Sequence, residues 1–108
     1  MSDDLTSCPV AATLKVIGGK WTPLILFNLK DRPIRFNALR RAIPEITQRM
    51  LTLELRALEA DGVVARRVFE TVPPHVEYSL TPRGQTLAPI IEAMEVWGMD
   101  QISRDATG

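Results

Sequence analysis

Thr47, Gln48, Arg49, Thr52 and Arg56 fall on one side of a segment whose other side carries Met50, Leu51, Leu55 and Leu58. That spacing predicts an amphipathic helix, capped by Thr47 and stopped at Gly62, with Leu53 outside the apolar stripe. The polar side has a definite chemistry. A guanidinium pairs bidentately with a guanine edge and a carboxamide with adenine. A threonine meets a phosphate or a thymine methyl. Taken alone, such a face more often meets only water.

Other reactive side chains are few. His75 is the one histidine and Cys8 the one cysteine. Neither a multi-cysteine zinc site nor an internal disulfide can be built, and no nucleophile–base pair is visible. We therefore expect no metal, no cofactor and no enzyme. Cys8 has two readings. It is a small buried hydrophobe, or it is a reactive thiol whose pKa is lowered at a helix start.

The elements that must position the polar helix follow from dense punctuation. A first helix opens at Ser7, with Pro9 in its first turn, and ends at Gly18-Gly19. Thr22-Pro23 starts a second, which is apolar nearly all round and so expected to be buried. Ile34-Arg35-Phe36 reads as a brief extended segment. Asn37 then caps a short helix, Ala38 to Ile43, closed by Pro44. The polar helix comes next across Pro44-Glu45-Ile46-Thr47. After Gly62 the period changes to that of strands. Val63 to Phe69 and Val76 to Leu80 form a hairpin around Val72-Pro73-Pro74-His75. Thr81-Pro82 opens a last helix reaching about Ile102, bent at Pro89, with a frayed tail from Ser103.

Two short helices in tandem followed by a hairpin is the winged helix-turn-helix order, an α+β class that is mostly α. Its second helix enters the major groove and its first crosses the backbone. The latter carries Arg40 and Arg41. Arg66 and Arg67 alternate in the hairpin, so one of them faces a duplex, and Arg66 is our choice. The hairpin tip with His75 reaches the minor groove or phosphates, or else the hairpin only covers the core. In the last helix Leu87, Ile90, Ile91, Met94 and Trp97 either pair with a second copy, helped by the first helix, or complete the monomer core.

Charge agrees in its distribution. Net charge is zero, yet the stretch from Lys20 to Arg67 holds ten Lys or Arg against five acids, and the flanks hold three against eight. A basic middle between acidic ends suits an anionic partner for the middle alone, although a mixed solvated surface gives the same count. The 108 residues form one domain, 1–108, with a core of about 8–102. No apolar run nears the roughly 20 residues of a membrane span, and the acidic start Met1-Ser2-Asp3-Asp4 is no signal peptide, so a cytoplasmic protein with no membrane partner is expected.

Several segments together resemble the HxlR-type regulators. They are Cys8-Pro9-Val10, Ile17-Gly18-Gly19-Lys20-Trp21, Arg35-Phe36-Asn37-Ala38-Leu39-Arg40 and Ile46 to Thr52 followed by Leu55 to Gly62. Val72-Pro73-Pro74, Val76 to Thr81 with Gly84, and Trp97-Gly98 complete the set, spanning about residues 8 to 98. The resemblance implies a dimeric winged-helix protein that regulates transcription. Its partners would be double-stranded operator DNA, a second copy and a small-molecule effector. Some members resemble thiol or electrophile sensors acting through the position of Cys8. The chain departs from the pattern at His75, where Arg or Lys is frequent, and at Leu53, where a polar residue is common. Without a second cysteine, a thiol switch would need an intersubunit bond or a small adduct. A protein-interaction module that keeps the fold without binding DNA is the rival reading, supported by the zero net charge.

Overall fold

The computed structural model describes residues 7–107. The acidic opening Met1-Ser2-Asp3-Asp4 and Gly108 lie outside them.

Pro9 and the glycine pair bound helix α1 (Pro9–Ile17), but its start is two residues later than the predicted Ser7. Cys8 is the N-cap, extended at φ −82° and ψ 120°, and its side chain makes no capping bond. Helix α2 (Thr22–Leu29) buries Ile25, Leu26 and Leu29. It is not buried all round as its composition suggested. Leu24 and Phe27 stay 44% and 38% exposed, because only one face of α2 meets the core. No single helix among the described residues is long and apolar enough to cross a membrane.

Strand β1 (Ile34–Arg35) leads directly into α3 (Phe36–Ala42), with Arg35 rather than Asn37 at the cap position. Leu39 and Ile43, four residues apart, are both buried. Helix α4 (Gln48–Ala60) has the predicted ends. The Met50 amide donates to Thr47 Oγ1 at 3.0 Å. At the other end Gly62 takes φ 76°, a left-handed conformation that a Cβ disfavours. There the Val63 amide donates to the Leu58 carbonyl and the Gly62 amide to the Glu59 carbonyl, the paired bonds of a Schellman stop. Leu51, Leu55 and Leu58 are fully buried, each contributing about 1.5–3 kcal/mol of apolar transfer. Met50, expected in the same stripe, lies at its border and stays exposed.

Strands β2 (Val64–Phe69) and β3 (His75–Leu80) form the predicted hairpin. The sheet is antiparallel with order β1-β3-β2, pairing Ile34 with Tyr78 and Arg66 with Tyr78 from opposite sides. Its inner face contributes Val64 and Tyr78 to a core completed by Ile17, Leu26, Leu39, Leu55 and Ile91. Burial pushes the Tyr78 phenol above its ordinary pKa, and the Glu59 carboxylate adds to the shift.

The last segment differs from its prediction. It divides into α5 (Pro82–Gln85) and α6 (Ala88–Thr107). Pro89 does not bend a helix. It is the second residue of α6, where its missing N–H costs nothing. Nor does the chain fray from Ser103. An Arg104–Asp100 ion pair at 2.7 Å and a Gln101–Asp105 bond at 3.0 Å, both four residues apart, support the last turns. Lys30 at the end of α2 lies 4.0 Å from Glu92 of α6, and its bond to Asp31 raises the ammonium pKa.

Candidate nucleic-acid interface

Helices α3 and α4 are joined by a turn held from inside by Ile43 and Ile46, both buried. Between them Glu45 takes φ 74°, a left-handed residue at the sharpest point of the turn. The turn therefore sets the angle of α4 and leaves its first residues outside the core. Gln48, Arg49 and Arg56 are exposed, and Thr52 is half-buried. The Thr52 hydroxyl donates to the Gln48 carbonyl at 2.9 Å, which fixes its rotamer. Thr47 is both cap and candidate contact: its oxygen is engaged by Met50, while the residue remains exposed. A bond from Thr22 Oγ1 to Glu54 Oε1 at 2.9 Å ties the side of α4 to the start of α2.

Arg40 and Arg41 are exposed on α3. Arg41 and His75 line one groove between α3 and the hairpin tip, so the structure brings these two predicted residues together. His75 is half-buried and stacks on Phe69, with ring centroids 4.5 Å apart. Its Nδ1 lies 3.4 Å from Thr71 Oγ1 and its Nε2 3.6 Å from Glu77.

Arg66 does not join this group. It lies 3.6 Å from Glu59, near the far end of α4 from Thr47, on the hairpin face that carries Tyr78. Arg67, on the outer face, sits 4.5 Å from the centre of the Phe69 ring. Sequence reading passed over Arg35 and Asn37 as contacts, although both line the groove that holds Arg41 and His75. The alternation of Arg35 with the apolar Ile34 and Phe36, both half-buried, was the available signal.

The residues named for pairing with a second copy divide. Ile91 is buried in the core of its own chain, and Leu87 packs against that core. Ile90, Met94 and Trp97 are exposed, the tryptophan at 69%. Cys8 is exposed, so the single chain does not bury it as a small hydrophobe.

A tandem helix pair with an exposed polar second helix, followed by a two-stranded wing, defines a winged helix-turn-helix protein. The sequence matches the HxlR-like helix-turn-helix family over residues 16–106, and the chain belongs to that family. It is 57% identical over 97 residues to the HTH-type transcriptional regulator YdeP of Bacillus subtilis (strain 168), covering 90% of this chain and 76% of that one. YybR of the same organism is 58% identical over 91 residues, covering 84% and 73%. Among solved structures, the redox regulator HypR in its reduced form superposes with TM-score 0.85 at 51% identity, covering 94% of this chain and all of that one. The reduced form of YodB from B. subtilis gives TM-score 0.73 at 35% identity, covering 83% and 89%. The chain is thus a DNA-binding transcriptional regulator of the helix-turn-helix type, not an enzyme.

Proposed function

We propose that the protein binds operator DNA as a homodimer, reading bases with Gln48, Arg49, Thr52 and Arg56. The carrying observation is the exposure of Gln48 and Arg49 at the capped start of α4. Free amides there add attraction for phosphate, where the Thr47 hydroxyl is also in reach. Arg40, Arg41 and His75 supply backbone contacts. Arg66, held by Glu59, adds charge from a distance. A second copy is supported by apolar surface that the chain leaves uncovered: Val10 and Leu14 on α1, and Val96, Trp97, Met99 and Ile102 on α6.

Arg49→Ala tests the reading. It should weaken operator binding by about 5- to 100-fold, and by much less on random duplex, because a bidentate base contact is worth about 1–3 kcal/mol of discrimination. Equal losses on both duplexes, measured by titration of labelled DNA, would remove Arg49 from the readers.

A thiol response is the finer part of the proposal. Cys8 is exposed at the cap of α1 without a capping bond, and HypR, 51% identical, is named a redox regulator. An oxidant or electrophile acting at Cys8 would shift α1 and with it the spacing of two recognition helices. Wild-type protein should release the operator on oxidant treatment, and Cys8→Ser should not. Release from both would exclude the thiol.

A further inference from the structure

Arg35 and Arg41 line a groove of about 830 Å³ between α3 and the wing tip, facing Thr71, Pro73 and His75. No carboxylate lines it. Arg66 and Arg104 each sit beside a carboxylate, Glu59 and Asp100. Among the described residues Arg35 and Arg41 have no ion-pair partner. Arg35 and Arg41 put two permanent cations on this groove, and Glu77, the cross-strand partner of Arg35, stands outside its lining, so the lining itself favours an anion. The groove is far larger than a phosphate ion, which favours an extended polyanion. It also continues past α3, since Asn37 and Arg41 line a second groove with Arg40, Pro44 and Glu45 beside the helix-turn-helix turn. The guanidinium fork matches a phosphodiester in both charge and geometry.

We infer that one DNA strand runs along α3 from the helix-turn-helix turn to the wing tip, and that Arg35 is a phosphate anchor paired with Arg41. This rests on the DNA-binding reading above and adds a path for the backbone and a residue to it. The wing tip then forms the second wall of a backbone clamp. Arg35 makes no capping bond in α3, so its truncation leaves the fold intact.

The experiment is fluorescence anisotropy with the full chain on duplex from its own upstream region and on random duplex, across a salt series. Arg35→Ala should weaken both duplexes by a similar factor, about 5- to 10-fold, and lower the slope of log affinity against log salt by about one. Arg32→Ala removes the same charge three residues away, outside the groove, and should leave the slope unchanged. A duplex scanned with neutral methylphosphonates should show a position that weakens wild-type protein but not Arg35→Ala. Wild-type binding with an unaltered slope in Arg35→Ala, or with no such position, overturns the clamp while leaving DNA binding intact. Absence of wild-type binding to either duplex overturns the DNA reading and the clamp with it.

Discussion

A Trp97→Asp variant is expected to sediment as a monomer at micromolar concentration and to lose operator affinity by at least about a hundredfold. Trp97 projects from α6 beyond the part anchored by Ile91, and 69% of its surface is open in the single chain. Buried aromatic anchors typically carry 2 kcal/mol or more of an interface, and an unpaired carboxylate placed there adds a desolvation cost of several kcal/mol. The DNA effect exceeds the loss of one contact, because a lone winged helix holds only one half-site. Folding should survive, since Trp97 is no part of the core around Ile25, Leu26 and Leu55. The helical circular-dichroism signal should therefore persist while sedimentation changes. A variant that stays dimeric with wild-type operator affinity would place the subunit contact elsewhere.

The order of elements was legible because local chemistry ends each one. Pro33, Pro44 and Pro82 cannot continue what precedes them, and Gly62 supplies the left-handed residue that stops α4. The stripe of Leu51, Leu55 and Leu58 was legible for a related reason: helical spacing fixes one face whatever lies opposite. What failed needed a neighbour distant in sequence. The composition of α2 marks it as apolar but does not say that α6 leaves Leu24 and Phe27 half open. Ile91 and Trp97 read alike on a helical stripe. Only the docking of α6 sends one to the core and the other outward.

The candidate interface divides in the same way. Gln48 and Arg49 were legible because a cap and a periodicity define their face. Arg66 was grouped with the α3 arginines because strand alternation gives two faces without saying which meets α4. The Glu59 pair depends on the register of Arg66 against Tyr78. Arg35 was missed since the other wall of its groove comes from residues 71 to 76. The Thr22–Glu54 bond joins residues 32 positions apart, beyond any local pattern.

Gly84→Ala is expected to lower stability by about 3 kcal/mol and the melting temperature by about 12 °C or more, the largest loss from adding one methyl group. A Cβ built at Gly84 collides with the Val63 carbonyl oxygen and comes within 3.2 Å of Leu80 Cβ. The backbone cannot easily move away. The Gly84 amide donates to Thr81 Oγ1 at 3.0 Å, and the Thr81 amide donates to the Val63 carbonyl at 3.1 Å. The Thr81 hydroxyl donates in turn to the Gly62 carbonyl at 2.6 Å. Relieving the collision thus means giving up hydrogen bonds worth about 1 kcal/mol each or tilting α5 away from the base of the wing. That tilt would also move α6, which follows α5 after two residues. Thermal unfolding of the variant measures the stability, and operator titration at low temperature, where it remains folded, measures the displacement. A melting temperature within a few degrees of wild type would mean that α5 yields without cost. The wing and α6 would then not be rigidly coupled through Thr81.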